Sequence, residues 1–315
     1  MSNRINFNEF KTGTLEGNCA LIKVSEEQIS KTGNPYINLF LFGEDGSSKS
    51  ISLFTKKSDF TIPEKSVIKA KFSYKGDFCN ISNIEAVPDE KITEYVRCAP
   101  VPPQECFSRV MKTLESLKYE SENITLYEIA IAVLNKYKDK LMYFPASESF
   151  HHTYIGGLIY HIMCMVMDAF LLVKGKVYDV DKEIVISAVA VNTICKVFTL
   201  SCDEISAENN IYNYLYNDGE LSIKTIDYVK DELCKSTGKN VDKTKYLNFS
   251  ACIKSYKGKP AWGASIYPLT EESYMVTMIN QLDCHLNQYE EAKKTVEKNK
   301  LSEFIEGIYT KVLNI

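Results

Sequence analysis

The chain has 315 residues, 45% of them hydrophobic and 25% charged, with a formal net charge of −4. It is long enough for two ordinary domains, too apolar to be disordered, and carries no global positive field to recruit nucleic acid or an anionic membrane. No apolar run reaches spanning length, since Leu158–Val173 is interrupted by His161 and Asp168, and the N-terminal stretch lacks the apolar core of a signal peptide.

Residues 12 to about 87 read as β structure. Apolar and β-branched runs are broken by Lys31-Thr32-Gly33-Asn34-Pro35 and Glu44-Asp45-Gly46, and two further strands meet across Lys75-Gly76-Asp77. Val67, Lys69, Lys71 and Ser73 alternate with Ile68, Ala70, Phe72 and Tyr74, so one side of that strand is polar and the other apolar. About five strands with short turns predict a small closed β-barrel of the OB type over 1–87. Four prolines and little periodicity make 88–105 a linker. From there the spacing predicts helices near 104–118, 125–140, 157–174, 182–199, 223–235, 270–297 and 301–313, with 236–268 less regular. The fold class is therefore α+β multidomain, with an all-α domain over 106–315. The ten cysteines are scattered, with no CxxC pair, which points to reduced thiols and a cytoplasmic protein.

Three of the four histidines, His151, His152 and His161, cluster around the start of an apolar helix, where Gly156-Gly157 would let the backbone turn tightly. A buried histidine is most often structural; three together raise the case for a site. Asn192-Thr193 sits inside the apolar run Ile186–Leu200, where two polar side chains need partners or a task. The single tryptophan, Trp262, lies in a loop with two lysines and two tyrosines, and is either a packed core aromatic or a stacking platform.

The stretches "HHTYIGGLIYH", "AVAVNTICKVFTL" and "IKSYKGKPAWGASIYPLTEESYMVTMINQLDCHLNQ", with "KTGNPYINLFL" near the N-terminus, resemble the YhaM-type 3′-5′ exoribonucleases in the same order. The resemblance implies an N-terminal OB fold joined to an HD-superfamily phosphohydrolase domain. It also implies a metal-binding His-Asp dipeptide where this chain has Asn192-Thr193. His161 matches the first metal-binding histidine, and Lys196 matches the lysine after the dipeptide. Ser255 and Tyr256 stand where two imidazoles are implied. Asn280 replaces the first carboxylate of an Asp-Asn-x-Asp motif, while Asp283 keeps the second. Amides and hydroxyls are weak donors beside imidazole and carboxylate, so His161 and Asp283 are the residual metal candidates, too few to hold the di-metal centre that the resemblance implies, and a remnant pocket without catalytic residues or cofactor is the first expectation.

On this reading the chain is a catalytically degenerate YhaM-like protein that binds single-stranded RNA or DNA or a protein partner, and does not engage a membrane. It would act as a homo-oligomer or by co-assembly with an active homologue, and a diverged copy borne by a mobile element such as a phage fits. The rival is a metal-dependent 3′-5′ exoribonuclease or phosphohydrolase with an atypical shell, using a divalent ion such as Mn2+. Candidate nucleic-acid contacts are Lys31, Tyr36, Lys56, Lys57, Lys69, Lys71, Tyr74, Lys75 and Trp262. The 11 Lys/Arg against 10 Asp/Glu in residues 1–86 argue against strong non-specific binding there.

Overall fold

The computed structural model describes residues 4–7, 12–75, 78–118, 121–175, 178–203 and 207–315. The chain forms two compact units, the first comprising the chain up to Cys98 together with Asp203 and the second Ala99–Cys202 and Ala207–Ile315.

In the first unit β1 (Thr12–Val24), β2 (Gln28–Ile29), β3 (Pro35–Phe42), β4 (Ser48–Leu53), β5 (Ser66–Lys75) and β6 (Phe78–Ala86) make an antiparallel sheet. The long β1 pairs with β3 along its C-terminal half and with β5 along nearly its whole length, with Glu16 opposite Lys71 and Asn18 opposite Lys69. Alternation on β5 sends Ala70, Phe72 and Tyr74 into a core with Leu21, Leu39 and Ile51 and leaves Lys69, Lys71 and Ser73 half-buried outside. The expected barrel is not closed among the described residues. Its end strands β4 and β6 pack side by side, yet no residue of one pairs with the other. β4 has only six residues, a short edge on which to complete a staggered ladder. The expected turn at Gly76-Asp77 lies outside the described residues. Within the stretch read as linker, a 3-10 turn at Ile92–Tyr95 buries Tyr95 completely against Ala20 and Val67.

The second unit is built of ten helices among the described residues. They are α1 (Pro103–Glu115), α2 (Leu126–Lys136), α3 (Lys138–Tyr143), α4 (Gly157–Lys174), α5 (Lys182–Val191), α6 (Lys196–Thr199), α7 (Ile211–Leu215), α8 (Asp218–Thr237), α9 (Lys243–Ser255) and α10 (Glu271–Lys294). A short hairpin, β7 (Leu200–Cys202) with β8 (Ala207–Asn209), follows α6. α5 is the central rod: Glu183–Val191 are all buried, and the helix packs on α2, α4, α9 and α10. α4 has the length and hydropathy of a membrane span, but it packs against α1, α5 and α10 and holds a fully buried histidine.

Caps set several boundaries. Thr125 accepts from the Glu128 amide, and the Glu128 side chain accepts from the Thr125 amide, a reciprocal capping box that starts α2. Thr125→Ala is expected to lower stability by about 1 kcal/mol, read as a shift in urea midpoint at unchanged slope.

Three helical expectations need correction. The helix expected over 182–199 breaks at Asn192–Cys195, where amides of Ile194, Lys196, Val197 and Phe198 bond three residues back. Ser222 of α8 stabilises the break: its hydroxyl donates to the Asn192 carbonyl at 2.8 Å and accepts from the Cys195 amide at 3.2 Å. The helix expected at 301–313 is instead an irregular turn-back, with Leu301 bridging Leu313 and Ile305 bridging Thr310. Its Leu301, Phe304, Ile305, Ile308 and Val312 mimic helical spacing, but Tyr309 at φ +51° is left-handed, which a right-handed helix excludes. Conversely α9 forms where less regular structure was expected, begun by an Asp242 side chain that caps the Lys245 amide.

Candidate functional site

The loop before α4 places two histidines on one helix start. Gly156 takes φ +71° to turn the chain, and a Cβ on Gly157 would lie 2.0 Å from the His152 carbonyl oxygen, so the backbones meet where only glycine fits. His152 is left-handed, at φ +44°. It is held by its amide donating to Asn287 Oδ1 at 2.8 Å, and by a ring bonded at both nitrogens, Nδ1 to Tyr154 Oη at 2.6 Å and Nε2 to Asp283 Oδ2 at 2.7 Å.

Asp283 of α10 joins two histidines. The same Oδ2 also accepts from Nδ1 of His161, which is fully buried on α4. Burial alone would raise the Asp283 carboxyl, but the two imidazoles outweigh it and hold it well below the carboxylate range. Burial pulls His152 down, against the opposing pull of Asp283, and pushes His151 well down, helped by its two histidine neighbours. Asp283 Oδ2 thus accepts from a ring nitrogen of each histidine. With its Nδ1 turned to Asp283, His161 has no protein hydrogen-bond partner at Nε2.

The Asn192-Thr193 pair is buried, and both amide atoms of Asn192 and the Thr193 hydroxyl lack protein hydrogen-bond partners. Four residues on, Lys196 reaches Asp218 Oδ2 at 2.9 Å, Lys257 reaches the same oxygen at 2.6 Å, and the Tyr256 hydroxyl stands 3.3 Å from it. Burial would raise Asp218, but the two ammonium groups overcome it and hold the carboxyl well down; burial likewise pulls at Lys196, and Asp218 wins by raising it. Lys196 is therefore committed to a carboxylate, and Ser255 donates back to the Ala251 carbonyl of its own helix at 2.7 Å.

These elements enclose a cavity of about 450 Å3 lined by His151, Thr193, Lys196, Lys257, Trp262, Asn280 and Cys284, among others, with Glu306 in its lining. Asn280, Asp283 and Asn287 all face inward and are buried. Trp262 is not packed in the core: it is 44% exposed, and Lys259 Nζ lies 4.6 Å from its ring centroid. Sequence reasoning missed Asp218, Lys257 and Cys284, because nothing local separates them from surface acids, surface lysines or structural thiols.

The donor set does not fit the pair of hard divalent ions that the resemblance implies. Asn192 and Thr193 offer neutral oxygens, Ser255 is turned into its own helix, Tyr256 is a buried phenol pushed well up by burial, and Asp283 already takes two imidazole N–H groups.

On the sheet, the proposed contacts divide. Tyr74 is a core residue, 7% exposed, because the β5 alternation turns it inward with Phe72; it cannot stack a base. Lys69 pairs with Glu16 at 2.9 Å and Lys57 with Glu26 at 2.6 Å, exposed ion pairs that a phosphate would have to displace. Lys31, Lys56 and Lys75 are exposed, and Lys71 is half-buried. Tyr36 donates to Gln28 at 2.5 Å and packs on the exposed Phe54 at 5.9 Å between centroids.

With this geometry in view, the relatives are informative. The 3′-5′ exoribonuclease YhaM of Bacillus subtilis (strain 168) is 24% identical over 297 residues, covering 92% of this chain and 90% of the relative. The protein of the same name from Bacillus licheniformis is also 24% identical with the same coverage. The chain is similar to these YhaM proteins over most of its length. A family model described as "Putative helicase" (TraI_2) matches residues 112–191, from within α1 to the end of α5. No solved structure matches. A match covering 92% of the chain takes in most of both units.

Proposed function

We propose that this YhaM-type protein binds single-stranded RNA in the cavity of its second unit and does not cleave it by the two-metal chemistry that the family resemblance implies. The first unit is read as an OB-type module and the second as an HD-type helical domain, in a cytoplasmic protein. The observation that carries the proposal is the cavity wall, where the half-exposed indole of Trp262, with the Lys259 ammonium 4.6 Å from its ring centroid, shares the lining with the amide of Asn280. An indole stacks any base, an ammonium meets phosphate, and an amide bonds a base edge or ribose. The curated relatives' name, 3′-5′ exoribonuclease, supports RNA as the nucleic acid.

A second reading, a 3′-5′ exoribonuclease with an atypical metal shell, is favoured by those same names and by the approach of His151, His161 and Cys284. One experiment separates the two. End-labelled single-stranded RNA incubated with the protein and Mn2+ is expected to stay intact while being retained in a low-salt binding assay. Retention should weaken steeply with added salt, and Trp262→Ala should reduce affinity by about 1–3 kcal/mol, the worth of one stacked base. Progressive shortening of the RNA that His161→Ala abolishes would establish the second reading. Equal affinity in Trp262→Ala would refute the cavity as the RNA site.

A further inference from the structure

We infer that His151, His161 and Cys284 form a site for one thiophilic transition-metal ion of the zinc class, distinct from the metal pair that the resemblance implies. One ligand atom from each of the three lies within 4.8 Å of the others. They come from three separate elements: the loop before α4, α4 itself and α10. Bonds of about 2.0–2.3 Å in a tetrahedral shell place donors roughly 3.3–3.6 Å apart, so closure needs movements on the order of 1 Å. Of the residues that the resemblance marks as metal ligands, only His161 takes part.

Three independent features point to a metal. First, His161 is fully buried, and its Nε2 has no hydrogen-bond partner in the protein, an expensive state for a ring nitrogen unless something binds it. Second, its Nδ1 donates to Asp283, and a carboxylate behind a histidine is the arrangement that fixes a metal-ligating tautomer and strengthens the donor. Third, His151 and Cys284 both line the cavity, so the side of the shell opposite His161 faces open space in which a water or a phosphate oxygen could complete four-coordination. The alternative grouping of His152, His161 and Asp283 meets the same distance limit, but its members already satisfy one another through Asp283 Oδ2. Two imidazoles with a thiolate select Zn2+ or Co2+ over Mg2+ or Mn2+.

The inference stands apart from RNA binding and is tested without RNA. Chelator-stripped protein titrated with Co2+ should take up one equivalent and show the intense d–d bands of a tetrahedral ion with a thiolate-to-cobalt charge-transfer band, both erased by Zn2+. Cys284→Ser should lose the charge-transfer band. His151→Ala, at a half-buried loop position, should weaken cobalt uptake at least tenfold. Asp283→Asn should weaken it by about 10–100-fold, as loss of a supporting carboxylate does. Circular dichroism confirms that each variant is folded, and His151→Ala decides the matter if Cys284→Ser is not. Absence of saturable one-to-one binding overturns the site. So does a charge-transfer band that persists in folded Cys284→Ser, which would assign it to another of the ten thiols.

Discussion

Asp283→Ala is expected to cost about 3–5 kcal/mol of folding stability, the range for breaking a buried charged network by removing one member. The carboxylate is 8% exposed and answers two imidazole N–H groups through one oxygen. Without it both rings keep their burial and lose their acceptor, and His152 loses a restraint on its left-handed backbone. Asp283→Asn should cost less, since the amide oxygen can still accept from one ring. A urea titration of the three proteins at neutral pH reads the difference, and an alanine variant within about 1 kcal/mol of the parent would mean that the network carries no net stability.

The same network sets an acid limit. The Asp283 carboxyl is depressed in the folded chain. Its contribution is therefore complete above an unfolded value of about 3.9 and is lost as pH falls through the folded value. His151 and His152 are depressed bases. The unfolded chain takes up their protons below about pH 6.5 while the folded chain resists, so stability declines from there downward. All three groups act in one direction; Asp283→Ala should flatten the most acidic part of the curve and, because the carboxylate holds His151 and His152 up, extend the decline that the histidines cause to lower pH.

What could be read before the fold was known follows local physics. The period-2 pattern of β5 put Lys69 and Lys71 outside and Phe72 inside, and the apolar helix around His161 was evident from its spacing. Tyr74 shared the inward face of β5, yet an aromatic in an apparent binding barrel read equally as a stacking platform until its burial was visible. The break at Asn192 depends on a hydroxyl from Ser222, thirty residues away, and no window on α5 contains it. The mistaken helix at 301–313 had the correct spacing, and only the left-handed Tyr309 rejects it. Within the site His161 and Asp283 were legible as types. That one is tied to the other through Nδ1, leaving Nε2 bare, is tertiary information.

Asp218→Ala is expected to destabilise the second unit by a similar amount, about 3–5 kcal/mol, through the opposite charge. Here one carboxylate, 5% exposed, serves two ammonium groups and lies near a buried phenol. Removing it strands Lys196, whose side chain is only 14% exposed, so burial is left unopposed and the lysine is driven toward its neutral form. Lys257, whose side chain is 29% exposed, can turn to solvent and lose less. A double variant Asp218→Leu with Lys196→Met should therefore recover part of the loss, because an apolar pair needs no compensation where a lone charge does. A thermodynamic cycle over the four proteins reads the coupling, and additive costs would show that the two side chains do not depend on each other. The carboxylate also cancels charge that an RNA phosphate would otherwise meet. Asp218→Asn, where it remains folded, should therefore bind single-stranded RNA at low salt at least as tightly as the parent while unfolding at lower urea, separating the acid's structural duty from the cavity's affinity for phosphate.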